Sequence, residues 1–341
     1  MPGPHDLFVR FTFSHPERAA AELRAVLPPP LVSEVDWSTL RREASSVVDP
    51  ELRETQSDLL FTAQLLGGRP VLLYVLLEHQ SSVDRWMALR MLRYVVRQLE
   101  HWRQEHPESE RLPVIIPLVM FHGPEGGWSA PRRMEDLFDL PGHEREREHW
   151  LRLVPRFEYL LDDLTRERAE ALMARPGPPL VRLALLVLRF GRTEELARRL
   201  PDWTALFAEL QAHPGAWDEL VALVRYIFQV GDRATRDAMA GVLASAMDAR
   251  RAEELMKTYK TYGEELMEQG MARGLAKGLA EGRAEGLARS VLRVLEARGV
   301  SVDDPSRQRI LSCLDQDMLD RWLERAVTAT TLSDVLGDLP Q

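Results

Sequence analysis

Lysine is almost missing from this sequence of 341 residues. Only Lys257, Lys260 and Lys277 occur, so every positive side chain before residue 257 is an arginine or a histidine. That limits the active-site chemistries available to most of the chain. Cysteine is scarcer still: Cys313 stands alone, can form neither an internal disulfide nor a cysteine metal cluster, and suits a reducing compartment. Positive charge is not in excess either. The 44 Lys+Arg against 53 Asp+Glu give a net charge of −9, so any contact with nucleic acid must be made by a local patch. No apolar run reaches the roughly 18 residues of a membrane span. His5, Asp6 and Arg10 interrupt the stretch that a signal peptide would keep apolar. These absences predict a cytoplasmic protein that makes no use of a membrane.

What is present is ordinary in bulk. Hydrophobic residues at 45% and charged residues at 28% are globular values, against wholesale disorder or a fibrous repeat. At roughly 100 to 200 residues per domain, two or three compact units follow.

Ser14-His15-Pro16-Glu17 predicts a helix start that runs to Leu27, where three prolines stop it. Residues 40–48 predict a first strand. Residues 58–66 and 70–80 are two apolar runs separated by Gly67-Gly68-Arg69, which predicts a hairpin centred near Gly68. The second run is continuously apolar from Val71 to Leu77, the mark of a central strand buried on both faces. A helical pattern covers residues 84–103, and another apolar run, residues 112–121, ends at His122-Gly123. Helix, strand, hairpin, helix and strand in that order predict an α/β sandwich on a mixed sheet. Beyond Pro131 the pattern predicts helices only, with residues 180–190 and 217–230 as buried ones.

A hairpin centred at Gly68 would set Asp58 opposite Glu78, with their β-carbons about 5 Å apart. Gln80 would share their face while His79 points away. Two carboxylates and an amide oxygen form a hard, all-oxygen site suited to Mg²⁺ or Mn²⁺, which can polarise a phosphodiester and generate hydroxide from water. The plainer alternative has Asp58 and Glu78 as solvated acids at the ends of their strands. His5-Asp6 begins a helix, where Asp6 either caps the helix or reaches the site. No spacing suggests a zinc cluster, a Walker loop or a Ser/His/Asp set.

Pro4-His5-Asp6, Asp36-Trp37, Ser57-Asp58-Leu59-Leu60, Leu77-Glu78-His79-Gln80-Ser81-Ser82, then Met87, Arg90 and Tyr94, Leu112-Pro113 and Phe121-His122-Gly123 recur in order at suitable distances. Together they resemble the recombination-promoting nuclease, or putative transposase, family of the PD-(D/E)XK nuclease superfamily. The resemblance covers residues 4–140. It implies an α-β-β-β-α-β, restriction-endonuclease-like core, a divalent metal at the hairpin end, and hydrolysis of DNA. Asp58 matches the metal-binding aspartate and Glu78 the acid of the (D/E)XK element. Gln80 stands where the superfamily usually has lysine, and residues 1–256 offer no lysine to repair the change. Neutral glutamine can only hydrogen-bond or ligate, which leaves more to the metal; Arg90 and Arg93 are the candidates to supply the missing charge, with a surface or structural role as the alternative for both. The resemblance also makes Glu22 a candidate additional acid.

The expected organisation is a nuclease-like domain at residues 1–140, a helical domain at 141–255, a tail at 256–290 and a small helical unit at 291–341. In the tail, glycines at 270, 274, 278, 282 and 286 keep a strict four-residue period. Each weakens a helix by about 1 kcal/mol relative to alanine. The stripe therefore predicts either homo-oligomerisation through close helix packing or a mobile arm; the interspersed charges exclude a membrane GxxxG motif. The resulting expectation is a Mg²⁺-dependent DNA endonuclease, with an inactive nuclease fold that binds DNA or protein as its rival.

Overall fold

The computed structural model describes residues 3–43, 59–78, 83–123, 126–141, 144–213 and 215–337. The chain opens with α1 (Pro4–Phe13), α2 (Pro16–Val26) and α3 (Pro29–Glu34), followed by β1 (Val35–Arg42), β2 (Leu59–Leu65) and β3 (Pro70–Glu78). Next come α4 (Met87–Glu105), β4 (Val114–Phe121), α5 (Glu144–Leu151) and β5 (Leu160–Asp163). Helices follow: α6 (Ala169–Met173), α7 (Pro179–Phe190), α8 (Glu195–Arg199), α9 (Thr204–Gln211), α10 (Ala216–Val230) and α11 (Arg233–Ala246). The long α12 (Ala249–Ala297) precedes α13 (Asp304–Ser312), α14 (Gln316–Thr328) and α15 (Leu332–Leu336).

Five strands form one sheet in the order β1-β2-β3-β4-β5, so β3 is central, as its unbroken apolar run predicts. β1, β2 and β3 are antiparallel neighbours. β4 joins β3 in parallel through the α4 crossover, and β5 extends the parallel half. Pro117 is tolerated because β5 pairs with β4 only from Leu118 onward.

β4 shows how the layers are built. Leu118 and Met120 face a core shared with α1, α2, α7 and α10, whereas Val119 and Phe121 face Met87, Met91, Tyr94, Trp128 and Tyr159 on the other side. Alternation along one strand thus seats helices on both faces of the sheet. Each fully buried large side chain contributes about 1.5 to 3 kcal/mol.

Several expectations need correction. The first strand, β1 at Val35–Arg42, begins five residues earlier than the expected 40–48 and shares residues 40–42 with it; residues 44–48 lie outside the described residues. Ser14 ends α1 as its C-cap, and His15 is the N-cap of α2. The loop of the hairpin is three residues long: Gly68 donates to the Leu65 carbonyl at 2.7 Å, and the Leu65 amide donates to the Arg69 carbonyl at 2.8 Å. Gly68 takes φ 75°, which glycine adopts without strain, as in a turn closed by a bulge. The hairpin is therefore centred on Gly67, and Leu59 pairs with Val75 where the expected register would have given Leu77. A strand also exists beyond Pro131, since Leu160–Asp163 is β5. Its four residues, two of them acidic, carry no periodic signal of their own.

The chain divides into two compact units, Met1–Tyr259 and Lys260–Gln341. The first contains both the expected nuclease-like segment and the helical segment 141–255, whose α7, α9, α10 and α11 contribute to the same core as α1, α2 and the sheet. The second has its own core, in which Ala284, Ala288, Val291 and Leu295 pack with Ile310, Leu319, Trp322 and Ala326. The glycine-periodic tail is helical throughout, within α12. A β-carbon at Gly278, Gly282 or Gly286 would meet nothing within 4 Å. Among the described residues no helix is long and apolar enough to cross a membrane.

Candidate active site

β3, β4 and β5 are parallel and end level: Glu78 pairs with Phe121, and Phe121 with Asp163. The carboxyl edge of parallel strands is where open α/β sheets hold ligands. Of the residues expected to carry chemistry, Glu78 is the last of β3, at this edge. Asp58, Gln80 and His79 lie outside the described residues; in sequence Asp58 immediately precedes β2 and Gln80 follows β3 by two residues. The described ladder does not call for direct opposition of positions 58 and 78, because Leu59 already faces Val75.

His122 directly follows β4 and is only 1% exposed. Gly123 then turns so closely over Phe121 that a β-carbon would come within 2.4 Å of the phenyl ring, which explains glycine after this histidine. The His122 ring lies 5.6 Å from that of His5, centroid to centroid. His5 is supplied by the first turn of α1. Its Nε2 accepts a hydrogen bond from Arg192 Nε at 2.9 Å, and its Nδ1 lies 2.5 Å from the Tyr226 hydroxyl. An arginine N–H can only donate, so Nε2 is the acceptor and Nδ1 carries the ring proton, donated to Tyr226. Burial raises the Tyr226 hydroxyl well above the usual tyrosine range, against the opposing charge of Arg192. This phenol is therefore neutral and can accept the proton of His5. Asp6, buried and next to His5 in sequence, accepts the amide of the Gly3 N-cap at 2.9 Å, the one half of a capping box that a glycine N-cap allows.

The other carboxylates near this edge are committed. Asp163 accepts from the Trp128 amide at 2.8 Å and from the Thr165 amide and hydroxyl, and pairs with Arg166 at 3.1 Å. Trp128 Nε1 donates to the Tyr159 hydroxyl at 2.9 Å, and burial pushes that phenol up to about 12. Arg90 is half-buried on α4 and pairs with Asp84 at 3.1 Å.

Glu22 is buried away from solvent with Asp162 of β5 around a single cation. Arg175 Nη1 donates to Glu22 at 2.7 Å, and its Nη2 donates to Asp162 at 2.8 Å. Burial, and then the charge of Asp162, hold the Glu22 carboxyl well above the usual carboxylate range despite Arg175. A side-chain hydrogen bond shared with Asp162 also favours the protonated form, while Glu22 Oε2 is buried without a partner. This acid ties α2 to the β5 edge. Among the described residues no three His, Cys, Asp or Glu side chains are grouped to hold a metal ion.

Sequence reasoning singled out His5, Asp6, Glu22 and His122 but missed Tyr226, Arg192, Asp162 and Arg175. Their partners lie as far as 221 positions away, as for His5 and Tyr226, and no local motif announces them.

The family model described as "Putative transposase, YhgA-like" matches residues 3–216. The recombination-promoting nuclease RpnA of Escherichia coli K12 is 27% identical over 78% of this chain and 84% of its own length. RpnC of the same strain, also named a recombination-promoting nuclease, is 28% identical over 77% of this chain and 81% of its own. RpnE, named an inactive recombination-promoting nuclease-like protein, is equally similar at 28% over 78% and 82%. No solved structure matches the chain significantly. With more than half its length under one family model, and with relatives named as nucleases along most of their own length, the chain belongs to the YhgA-like putative transposase family.

Proposed function

We propose that this protein is a divalent-metal-dependent DNA endonuclease of the PD-(D/E)XK type, linked to recombination, mobile elements or defence against foreign DNA. The observation that carries the reading is the position of Glu78, the last residue of the central strand, level with the ends of β4 and β5 at the edge where such sheets hold ligands. Supporting it, a helical layer, three antiparallel strands, a crossover helix and a parallel strand follow one another in the order that the superfamily implies. The names of RpnA and RpnC point to the same chemistry.

The donor set fits a small hard cation. Asp58, Glu78 and Gln80 together offer carboxylate and amide oxygens, the ligands that Mg²⁺ and Mn²⁺ take, whereas nearby Asp163, Glu22 and Asp162 are already held by N–H donors and arginine. Bound to Asp58 and Glu78, the ion would supply charge to a phosphodiester oxygen and acidify a water molecule. Gln80, unable to carry charge, orients that water or a phosphate oxygen by hydrogen bonding. Arg90, whose charge is shared with Asp84, provides positive potential on the α4 side of the edge. Asp6, whose Oδ2 accepts the Gly3 amide, is an accessory residue at the start of α1.

The second reading is an inactive nuclease fold that binds DNA or protein. It is favoured by one observation, that RpnE is named inactive although it is as similar to this chain as RpnC is. Purified protein incubated with supercoiled and linear DNA in Mg²⁺, Mn²⁺ or EDTA, beside Asp58→Ala, separates the two. Metal-dependent nicking that the variant lacks supports the enzyme; DNA left intact by both folded proteins supports the binding module. Strand-joined products in place of simple cuts would instead indicate transposase chemistry.

A further inference from the structure

The outward face of α4 differs from the rest of this acidic chain. Inward, Met87, Ala88, Met91, Tyr94 and Val95 are buried against β4. Outward, Trp86, Leu89 and Val96 are 56%, 45% and 44% exposed. Exposed Arg85 and Arg93 and half-buried Arg97 lie among them. From Arg85 to Arg97 the chain carries no carboxylate, and exposed Glu100 and Glu105 follow in the second half of the helix. The one acid at its start, Asp84, is engaged by the Trp86 amide at 2.8 Å and by Arg90. A face with this much positive charge and exposed aromatic surface, on a chain of net charge −9, marks a specific partner.

We infer that this α4 face binds the DNA backbone, with Arg85, Arg93 and Arg97 on phosphates and the Trp86 indole against a base or sugar. The inference rests on the DNA-cleaving reading above and gives it the surface that holds the substrate. Charge complementarity selects the occupant. A second copy of the chain would bring another nine net negative charges, whereas DNA supplies the dense line of anions that arginine forks match. Position agrees: α4 starts at the carboxyl edge of β3, and Arg85 follows Glu78 by only seven residues. Nucleic acid held on Arg85 and Trp86 therefore passes the strand end at which cleavage is proposed. Indole stacking adds affinity without regard to sequence, because every base has a π-face. Two other features do not compete. The groove of about 600 Å³ beside Leu160 is lined mainly by apolar side chains and prolines, with Arg24 and Arg132 its two charged residues. The Glu22 group is internal.

The test is fluorescence anisotropy of full-length protein with labelled duplex and single-stranded DNA in EDTA, where cleavage is suppressed, across about 50 to 200 mM salt. Arg85→Ala and Arg93→Ala are each expected to reduce the slope of log affinity against log salt by about 1. Trp86→Ala is expected to weaken binding about tenfold with little change in slope. Arg233→Ala, an exposed arginine on α11, serves as the control and should behave as wild type. Nicking in Mg²⁺ and particle mass are measured on the same proteins. Wild-type slopes in both arginine variants would overturn the surface while nicking by wild type keeps the nuclease reading. Altered slopes without nicking by wild type would keep the surface and overturn the nuclease. Loss of an oligomer in Trp86→Ala would assign the face to a second copy and overturn the inference.

Discussion

Two side chains decide how α1 and α2 are held, and both can be altered without changing shape much. Tyr226 stacks flat on Phe8 at 4.2 Å while its hydroxyl oxygen accepts a hydrogen bond from His5 Nδ1. Tyr226→Phe keeps the stack but removes the acceptor of the half-buried His5 Nδ1–H, which costs about 0.5 to 1.5 kcal/mol. Urea unfolding measures it, and a loss below about 0.5 kcal/mol would contradict the assigned tautomer. Glu22 gives a pH signature. Its folded-state pKa is raised above the ordinary 4.5, so its share of stability is complete below about 4.5 and is lost as pH rises through the folded value. Glu22→Gln cannot ionise and is free of that loss. The melting temperature of the variant relative to wild type should therefore climb as pH rises above about 4.5 and level off once pH has passed the folded value. A constant offset would show that Glu22 is ionised throughout.

Among the elements, those with long one-sided or unbroken apolar patterns could be read directly. α7, α10 and β3 fall on the runs at residues 180–190, 217–230 and 71–77: α7 is buried along nearly its whole length, α10 along one side, and β3 is the central strand. β5 is hidden because Leu-Leu-Asp-Asp is too short to show a period and one of its acids, Asp162, is buried on Arg175. The hairpin was legible as a hairpin, but Gly67-Gly68 accommodates more than one loop geometry, and choosing the centre one residue off moves the register by two. At Gly68, φ 75° makes alanine strained, so Gly68→Ala should destabilise by about 1 kcal/mol. The reverse holds in α12. Gly278→Ala and Gly282→Ala place a methyl in open space and should each stabilise the second unit by about 1 kcal/mol in thermal melts. If the same variants dissociate an oligomer in sedimentation, the stripe is instead the self-association face that its period suggests.

At the scale of the molecule, the helical segment 141–255 carries no motif, yet its Arg192 and Tyr226 hold His5 beside the end of β4. What looked in sequence like a separate domain is the support on which α1 is seated, joined to the sheet through one core. Such long-range support has no local period, so only the fold discloses it. The catalytic proposal depends on a single strand end within that first unit. Its most direct test is the nicking rate of Glu78→Gln against wild type in Mg²⁺, with circular dichroism and melting to confirm equal folding. Removing one anionic metal ligand without changing side-chain size should lower the rate at least about a hundredfold, the consequence of losing a few kcal/mol of transition-state stabilisation. A folded Glu78→Gln protein that nicks DNA at the wild-type rate would contradict the account.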